Sequence, residues 1–468
     1  MCTRKPHIDM EIEPRMSKRF GCGWLGLSGL ILAAFLVACG TKYNSSSDGL
    51  VFVASQGSNV IQSFSFSLTN GHIAGLSNPP ATSGIPSGMI LDPAGTYAYV
   101  IINQNSIAAF KVSSGGTLSA GAGAITPNPT NYATTVPVSE CGATVQEPVS
   151  GTAPVAPLVM TTDSSGKYLY VADSGTTVNA QITYTCGGNP ANTVTVSVPV
   201  SGSISAFSIN AGSLSELSGS PFTVPPALNP ANLVDLAVTP TKLPPLVNGV
   251  QTSACSAPGN NPPATEYLYA ADSVNNLVWE FQVDMSSGVL IPQPSQSMAT
   301  SIATGSTPSG IAVDPCDRFV YVSDLQSNQV SGYSICSGLP SQSSGCPTTP
   351  DGSLQPLAGS PFALSVGLGP GPLVVDPFGN FLYVLDTRSN QVTPFAISSV
   401  SGALKAGTAA ATGSQPIAMT IRGDDNWLFV TNYNSATLSQ FSITPSSGAL
   451  SELPAITTDN QPWGVAVK

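Results

Sequence analysis

The sequence predicts an all-β chain folded as a seven-bladed β-propeller with four antiparallel strands per blade. Three observations carry this prediction. One short apolar strand recurs seven times between residues 50 and 468, each copy lies inside a four-strand meander, and the two ends hold complementary fragments of one unit.

The recurring strand reads LVFVAS (50–55), YAYVII (97–102), YLYVAD (168–173), YLYAAD (267–272), FVYVSD (319–324), FLYVLD (381–386) and WLFVTN (427–432). Large apolar residues alternate with small or polar ones, the period-two pattern of a strand. A polar turn and another strand follow most copies, as in NQVSGYSI (328–335), NQVTPFAI (390–397) and ATLSQFSI (436–443). An apolar strand and a tight turn precede most of them, as in SGMILDPAGT (87–96), SGIAVDPCDR (309–318) and GPLVVDPFGN (371–380). The aspartates of these turns (Asp92, Asp314, Asp376) fit β-turn chemistry. Segments such as GSLSELSGSPF (212–222) and SGALKAG (401–407) supply an outer fourth strand. The first unit begins directly at its second strand, Leu50, whereas QPWGVAVK (461–468) is a first strand with nothing after it. Pairing the two closes the ring and removes the sheet edges of an open array.

The aromatic positions Phe52, Tyr99, Tyr170, Tyr269, Tyr321, Tyr383 and Phe429 are spaced 47, 71, 99, 52, 62 and 46 residues apart. A bare blade thus needs about 46 residues, and the excess marks insertions at 120–157, 175–200, 240–266 and 336–352. The first leaves a fourth strand and the second leaves a second strand, so both are expected on one face. The other two are expected on the opposite face. Within 175–200, ITYT (182–185) and TVTVSV (193–198) flank GGNPAN and predict a protruding hairpin.

Charged residues form 8% of the 468, against roughly 25% in an ordinary soluble domain. A hydrophobic content of 42% and a mean hydropathy of +0.19 nonetheless exclude a disordered chain. The net charge is −11 and the pI about 4.4. No basic face is available to neutralise the phosphates of a nucleic acid or to hold an anionic membrane surface. A monomer is expected.

Residues 16–40, MSKRFGCGWLGLSGLILAAFLVACG, hold a positive start at Lys18 and Arg19 and an apolar run from Trp24 to Val37. That run is too short to span about 30 Å of hydrocarbon and reads as a signal peptide. It ends in Leu36-Val37-Ala38-Cys39 and resembles a bacterial lipobox, in which the cysteine is lipidated and becomes the mature N-terminus. The organisation expected is signal peptide 1–38, lipidated polar linker 39–49 and propeller 50–468. Acids upstream of Met16 fit a signal poorly, which points to Met16 as the true start. Gly40 after the cysteine favours outer-membrane or surface display, and the location expected is the cell envelope, outer-membrane or periplasm-facing, with the lipid as the membrane contact.

Six cysteines follow Cys39, an even number that suggests disulfides outside the cytoplasm. Loop positions select the pairs Cys141–Cys186, Cys255–Cys316 and Cys336–Cys346. No Cys/His spacing suggests zinc, and neither metal nor cofactor is expected. The mature chain has one histidine, His72, in an outer turn, and three arginines, Arg318, Arg388 and Arg422, placed where they cannot converge. Ser55, Asp173, Asp272, Asp324, Asp386 and Asn432 end the recurring strands. The four acids among them either face a ligand, as calcium ligands or sugar-directed carboxylates, or hydrogen-bond the turn that follows. Trp279 and Trp463 lie on strands and are read as packing residues in preference to sugar platforms.

The repeats resemble the YVTN-type propellers of the lactonase family, which includes bacterial 6-phosphogluconolactonases and fungal muconate-lactonising enzymes. The resemblance covers residues 50–468, with LFVTNYNS (428–435) its nearest match. It implies a cluster of histidine, acidic and arginine side chains at one channel mouth, which the scattered residues here do not supply. A phosphosugar also needs clustered Arg or Lys donors. The function expected is therefore a non-catalytic envelope protein that binds a protein, a glycan or a small molecule. The alternatives are a lactonase-type hydrolase and a structural envelope protein without a small ligand.

Overall fold

The structure, a computed structural model, describes residues 48–76, 78–140, 142–185, 191–224, 229–240, 265–292, 301–338, 345–347, 350–364 and 368–468. All regular structure among them is β. Seven antiparallel sheets form the blades, each running inner, second, third and outer strand in hydrogen-bonded order. Blade five shows the plan: Pro308–Val313, Phe319–Asp324, Gln329–Ile335 and Leu354–Pro356. In blades three to six the outer strand is broken, and a second short piece such as Phe362–Ala363 pairs further along the third strand. The inner strands touch one another in sequence all the way round. In blade one the inner strand is Pro462–Val467, which pairs with Asp48–Ser55 so that Ala466 faces Phe52. The ring thus closes through the two ends described.

The second strands are buried along almost their whole length, and Phe52, Tyr99, Tyr170, Tyr269, Tyr321, Tyr383 and Phe429 are all fully buried. Each strand is flanked by two strands of its own sheet and by a neighbouring blade on either side. This is why the recurring motif is so apolar.

One contact repeats at every blade junction. The first apolar residue of a second strand packs on a left-handed glycine in the third-to-outer turn of the next blade. The pairs run Leu50–Gly116, Tyr97–Gly212, Tyr168–Gly288, Tyr267–Gly352, Phe319–Gly402, Phe381–Gly448 and Trp427–Gly71. At Gly352 (φ 74°) a Cβ would lie 2.2 Å from the Tyr267 ring, so only glycine admits both the backbone and the contact. At three junctions the tyrosine two residues further along donates its hydroxyl to the same glycine's carbonyl: Tyr170 to Gly288 (3.0 Å), Tyr269 to Gly352 (2.6 Å) and Tyr321 to Gly402 (2.8 Å). The Tyr99 and Tyr383 hydroxyls have no partner among the described residues. Blade seven has Phe429 there, and its cross-strand neighbour Gln440 donates to Gly71 instead (2.7 Å).

In the inner-to-second turns the leading aspartate accepts backbone N–H groups at the turn's end. Asp376 Oδ1 takes those of Asn380 (2.6 Å) and Phe381 (2.7 Å), and Asp92 Oδ1 those of Thr96 (2.6 Å) and Tyr97 (2.8 Å). The fourth turn residue is left-handed: Gly95, Gly166 and Gly379 in blades two, three and six, but Asp317 and Asp425 in blades five and seven, both at φ 57°. Both aspartates are buried, and Asp317 Oδ1 and Oδ2 and Asp425 Oδ1 have no hydrogen-bond partner. Burial, reinforced by Asp376 and Asp424, pushes the Asp425 carboxyl up to about 8. Burial likewise pushes Asp376 up to about 6.

Two outcomes are expected. Gly352→Ala should lower stability by about 2–4 kcal/mol and Tyr269→Phe by about 1 kcal/mol, read as shifts in the urea midpoint. Both carboxyls titrate above the unfolded value of about 3.9. The stability they contribute is complete below that value and is lost as pH rises, through 6 for Asp376 and through 8 for Asp425. The melting temperature should accordingly be higher at pH 5 than at pH 8. Asp425→Gly should raise stability at pH 8 by about 1–2 kcal/mol and flatten the upper part of the profile.

Candidate functional site

The polar residues that end the second strands form a repeated device inside the blades. Asp324 accepts from Ser331 Oγ (2.7 Å) and Asp386 from Thr393 Oγ1 (2.5 Å), in each case seven residues on and across the hairpin. Asp272 takes Trp279 Nε1 (3.1 Å) at the same spacing, together with backbone N–H groups of Asn232 and the turn after it. In blade seven Asn432 donates to Ser439 Oγ (2.9 Å). In blade three, where a hairpin is spliced into the connection, Asp173 still reaches the third strand and accepts from Ser205 Oγ (2.6 Å) and Ser203 Oγ (3.3 Å). Blade two replaces the pair by Ile102 and Ala109, both buried. All four carboxylates are fully buried. Burial raises Asp173 to about 7 and Asp386 to about 6, against the hydroxyl donors that hold them down. It raises Asp324 too.

The cationic groups are dispersed. Arg318 is buried and bidentate on Asp314 (Nε–Oδ2 2.7 Å, Nη2–Oδ1 2.8 Å), and it also donates to the Gly379 carbonyl of the next blade (2.9 Å). Arg422 pairs with Asp424 on the same face, and Arg388 is exposed on the other. His72 is exposed in the outer turn of blade one. Trp279 is buried, whereas Trp463 is partly exposed, with its ring edge-on to Tyr433 at 5.7 Å. Among the described residues no three His, Cys, Asp or Glu side chains gather as metal ligands would.

Asp235 escaped the sequence reading. It is the single ionisable residue on the seven inner strands. It is partly exposed, and its Oδ2 accepts the Ile311 N–H of the adjacent inner strand (2.9 Å). Burial pushes it up to about 7. Aligning the inner strands would have found it, because the equivalent positions hold Gly, Ala, Val or Pro.

One face carries two added hairpins. Thr130–Glu140 pairs with Ala143–Ala153 in the connection from blade two to blade three, and Thr176–Tyr184 pairs with Asn192–Val200 between the second and third strands of blade three. Their inward valines, Val136, Val138, Val149 and Val198, form an apolar cluster separate from the blade cores. Tyr184 Oη donates to the Ser139 carbonyl (3.3 Å). A recess of about 510 Å³ lies between the hairpins and Pro230. Glu140 and Glu147 are the only charged side chains among the described residues of the two hairpins.

Cys336 and Cys346 form a disulfide with their Cα atoms 5.3 Å apart. Cys316 is also disulfide-bonded, to a partner outside the described residues. Cys39, Cys141, Cys186 and Cys255 lie outside them too, as does most of the 240–266 insertion.

Residues 353–467 match the family model described as Lactonase, 7-bladed beta-propeller. No curated protein matches the sequence. Among solved structures, the chain is similar to a candidate 6-phosphogluconolactonase from Bacteroides fragilis, at 17% identity and TM-score 0.60 over 91% of this chain and 99% of that one. It is also similar to the periplasmic gluconolactonase of Pseudomonas aeruginosa, at 20% identity and TM-score 0.57 over 90% and 99%. These likenesses concern the fold. The chain is a seven-bladed β-propeller, and its last two and a half blades match the sequence model of the seven-bladed lactonases.

Proposed function

We propose that this protein is an exported, lipid-anchored binding propeller of the bacterial cell envelope whose working surface is the face bearing the two hairpins. The observation that carries the proposal is the separate apolar cluster joining hairpins from two different connections. Other blades link their second and third strands through three or four residues, such as 325–328, so the Thr176–Val200 hairpin is not needed to close its blade. A nearly uncharged, β-branched double ribbon suits contact with a protein or a neutral glycan. The strand-end acids and Arg318 are already engaged inside the blades.

A second reading, a lactonase-type hydrolase, draws support from the matched family model and from Asp235. A lone carboxyl on an inner strand that titrates near neutrality could act as general base toward an uncharged lactone.

Three measurements separate these readings. Purified mature chain should hydrolyse glucono-δ-lactone no faster than the buffer control; turnover that Asp235→Asn abolishes would establish the hydrolase instead. Replacing Gly175–Val200 by a four-residue turn should remove retention on isolated cell-envelope material and leave the melting temperature within a few degrees. Cys39→Ser should move the protein from the membrane pellet to the soluble fraction. An unchanged distribution would remove the lipid anchor from the proposal.

A further inference from the structure

Most loops from an outer strand to the next blade's inner strand end in a residue whose backbone N–H takes an acceptor from a second-strand end or second-to-third turn. At five junctions a side-chain oxygen supplies it. Asn103 Oδ1 takes the N–H of Ile85 (2.8 Å), Asp272 Oδ1 that of Asn232 (3.0 Å), and Asn276 Oδ1 that of Thr307 (2.7 Å). Asn328 Oδ1 takes that of Gly369 (3.0 Å) and Asn390 Oδ1 that of Gln415 (2.9 Å). In the last three the asparagine closes its own blade's second-to-third turn in the left-handed conformation, at φ 53–56°.

The junction of blades seven and one keeps the backbone and omits the side chain. Ala436 stands at the asparagine position with φ 50°, and its carbonyl accepts the Thr458 N–H (3.0 Å) as that of Asn390 accepts the Thr412 N–H (2.9 Å). The Gln461 N–H, which corresponds to that of Gln415, consequently has no partner among the described residues. A recess of about 370 Å³ lies there, lined by Gly57, Tyr433, Asn434, Ala436, Asn460 and Gln461.

We infer that this recess binds an acetamido group, presented by a neutral N-acetylated amino sugar. The group Ala436 lacks relative to asparagine is the carboxamide C(=O)–NH₂ beyond its Cβ, and a ligand's acetamido group supplies the same carbonyl acceptor and N–H donor. The ligand carbonyl would accept the Gln461 N–H, the bond made by asparagine elsewhere. The exposed amides of Asn434, Asn460 and Gln461 suit sugar hydroxyls, as donors and acceptors both. Tyr433, held edge-on by Trp463, adds an amphipathic wall, and no charged side chain lines the recess. This recess opens on the hairpin-bearing face in another sector, and the inference does not depend on the hairpins' role.

The test titrates N-acetylglucosamine, glucose and N-acetylglycinamide into the purified mature chain. The expected result is millimolar binding of N-acetylglucosamine, at least tenfold tighter than glucose or N-acetylglycinamide, with the Gln461 amide resonance among those that shift. Ala436→Asn should weaken binding at least tenfold while melting at or above the wild-type temperature, because the new carboxamide caps Gln461 from within. Equal binding of glucose, an unmoved Gln461 resonance, or undiminished binding by a folded Ala436→Asn variant would each overturn the inference. Equally tight binding of N-acetylglycinamide would overturn its assignment to a sugar. The Gln461 resonance is read on the wild-type chain, so a misfolded variant does not shelter the idea.

Discussion

The approach of an apolar side chain onto a left-handed glycine at each blade junction is the constraint on which the ring depends. A blade alone is a twisted sheet with two apolar faces, and nothing within it sets the angle to its neighbour. The seven contacts fix that angle, because Cβ positions 2.2–2.8 Å from the side chain would hold the blades apart. At four of the junctions the glycine carbonyl beside the contact also accepts a hydrogen bond from the neighbouring blade. Phe429 lacks the hydroxyl that Tyr269 and Tyr321 use, yet Gln440 supplies an N–H to the same carbonyl from the third strand. Where the bond is made, either strand can supply its donor.

That arrangement consumes most of a small stock of charge. Of the acids that look ready for chemistry, Asp173, Asp324 and Asp386 serve third-strand hydroxyls, while Asp92, Asp163 and Asp376 serve turn N–H groups. Arg318 bonds to Asp314 and spans two blades through the Gly379 carbonyl. Amides, hydroxyls and a few half-exposed aromatic rings remain for recognition. Such a surface selects neutral ligands through directional hydrogen bonds rather than through long-range attraction.

The blade count and the ring closure were legible in the sequence because the second strand, enclosed on all sides, tolerates little besides apolar and small residues. The closing pair was legible because Leu50 and Gln461–Lys468 are unequal fragments of one unit. The broken outer strand was not, since pieces such as Phe362–Ala363 are too short to show a period. The fate of the strand-end acids was half legible. Asp324 with Ser331 and Asp386 with Thr393 share a spacing of seven, and blade two loses both partners together as Ile102 and Ala109. Asp235 and Ala436 were missed for one reason. Each is ordinary by itself and unusual only against the equivalent position in the other blades, an alignment that needs the observed strand register.

A repeat protein carries its own controls, and the departures from the repeat here fall into three kinds. Some are compensated: Gln440 replaces the missing hydroxyl at Phe429, and Ile102 and Ala109 are each buried in an apolar cluster where others form a hydrogen bond. Some are uncompensated and buried. Asp317 and Asp425 hold carboxylates in left-handed turns with oxygens lacking partners, and no ligand reaches them at an exposure of 1% or less. Ala436 is of the third kind. It keeps a backbone conformation that favours asparagine, forgoes the carboxamide that would cap Gln461, and leaves the uncapped N–H beside an open recess. A buried defect only lowers stability, whereas an exposed donor with shaped space around it can be satisfied from solution. Lack of compensation combined with exposure is therefore what distinguishes a binding position from drift in this ring.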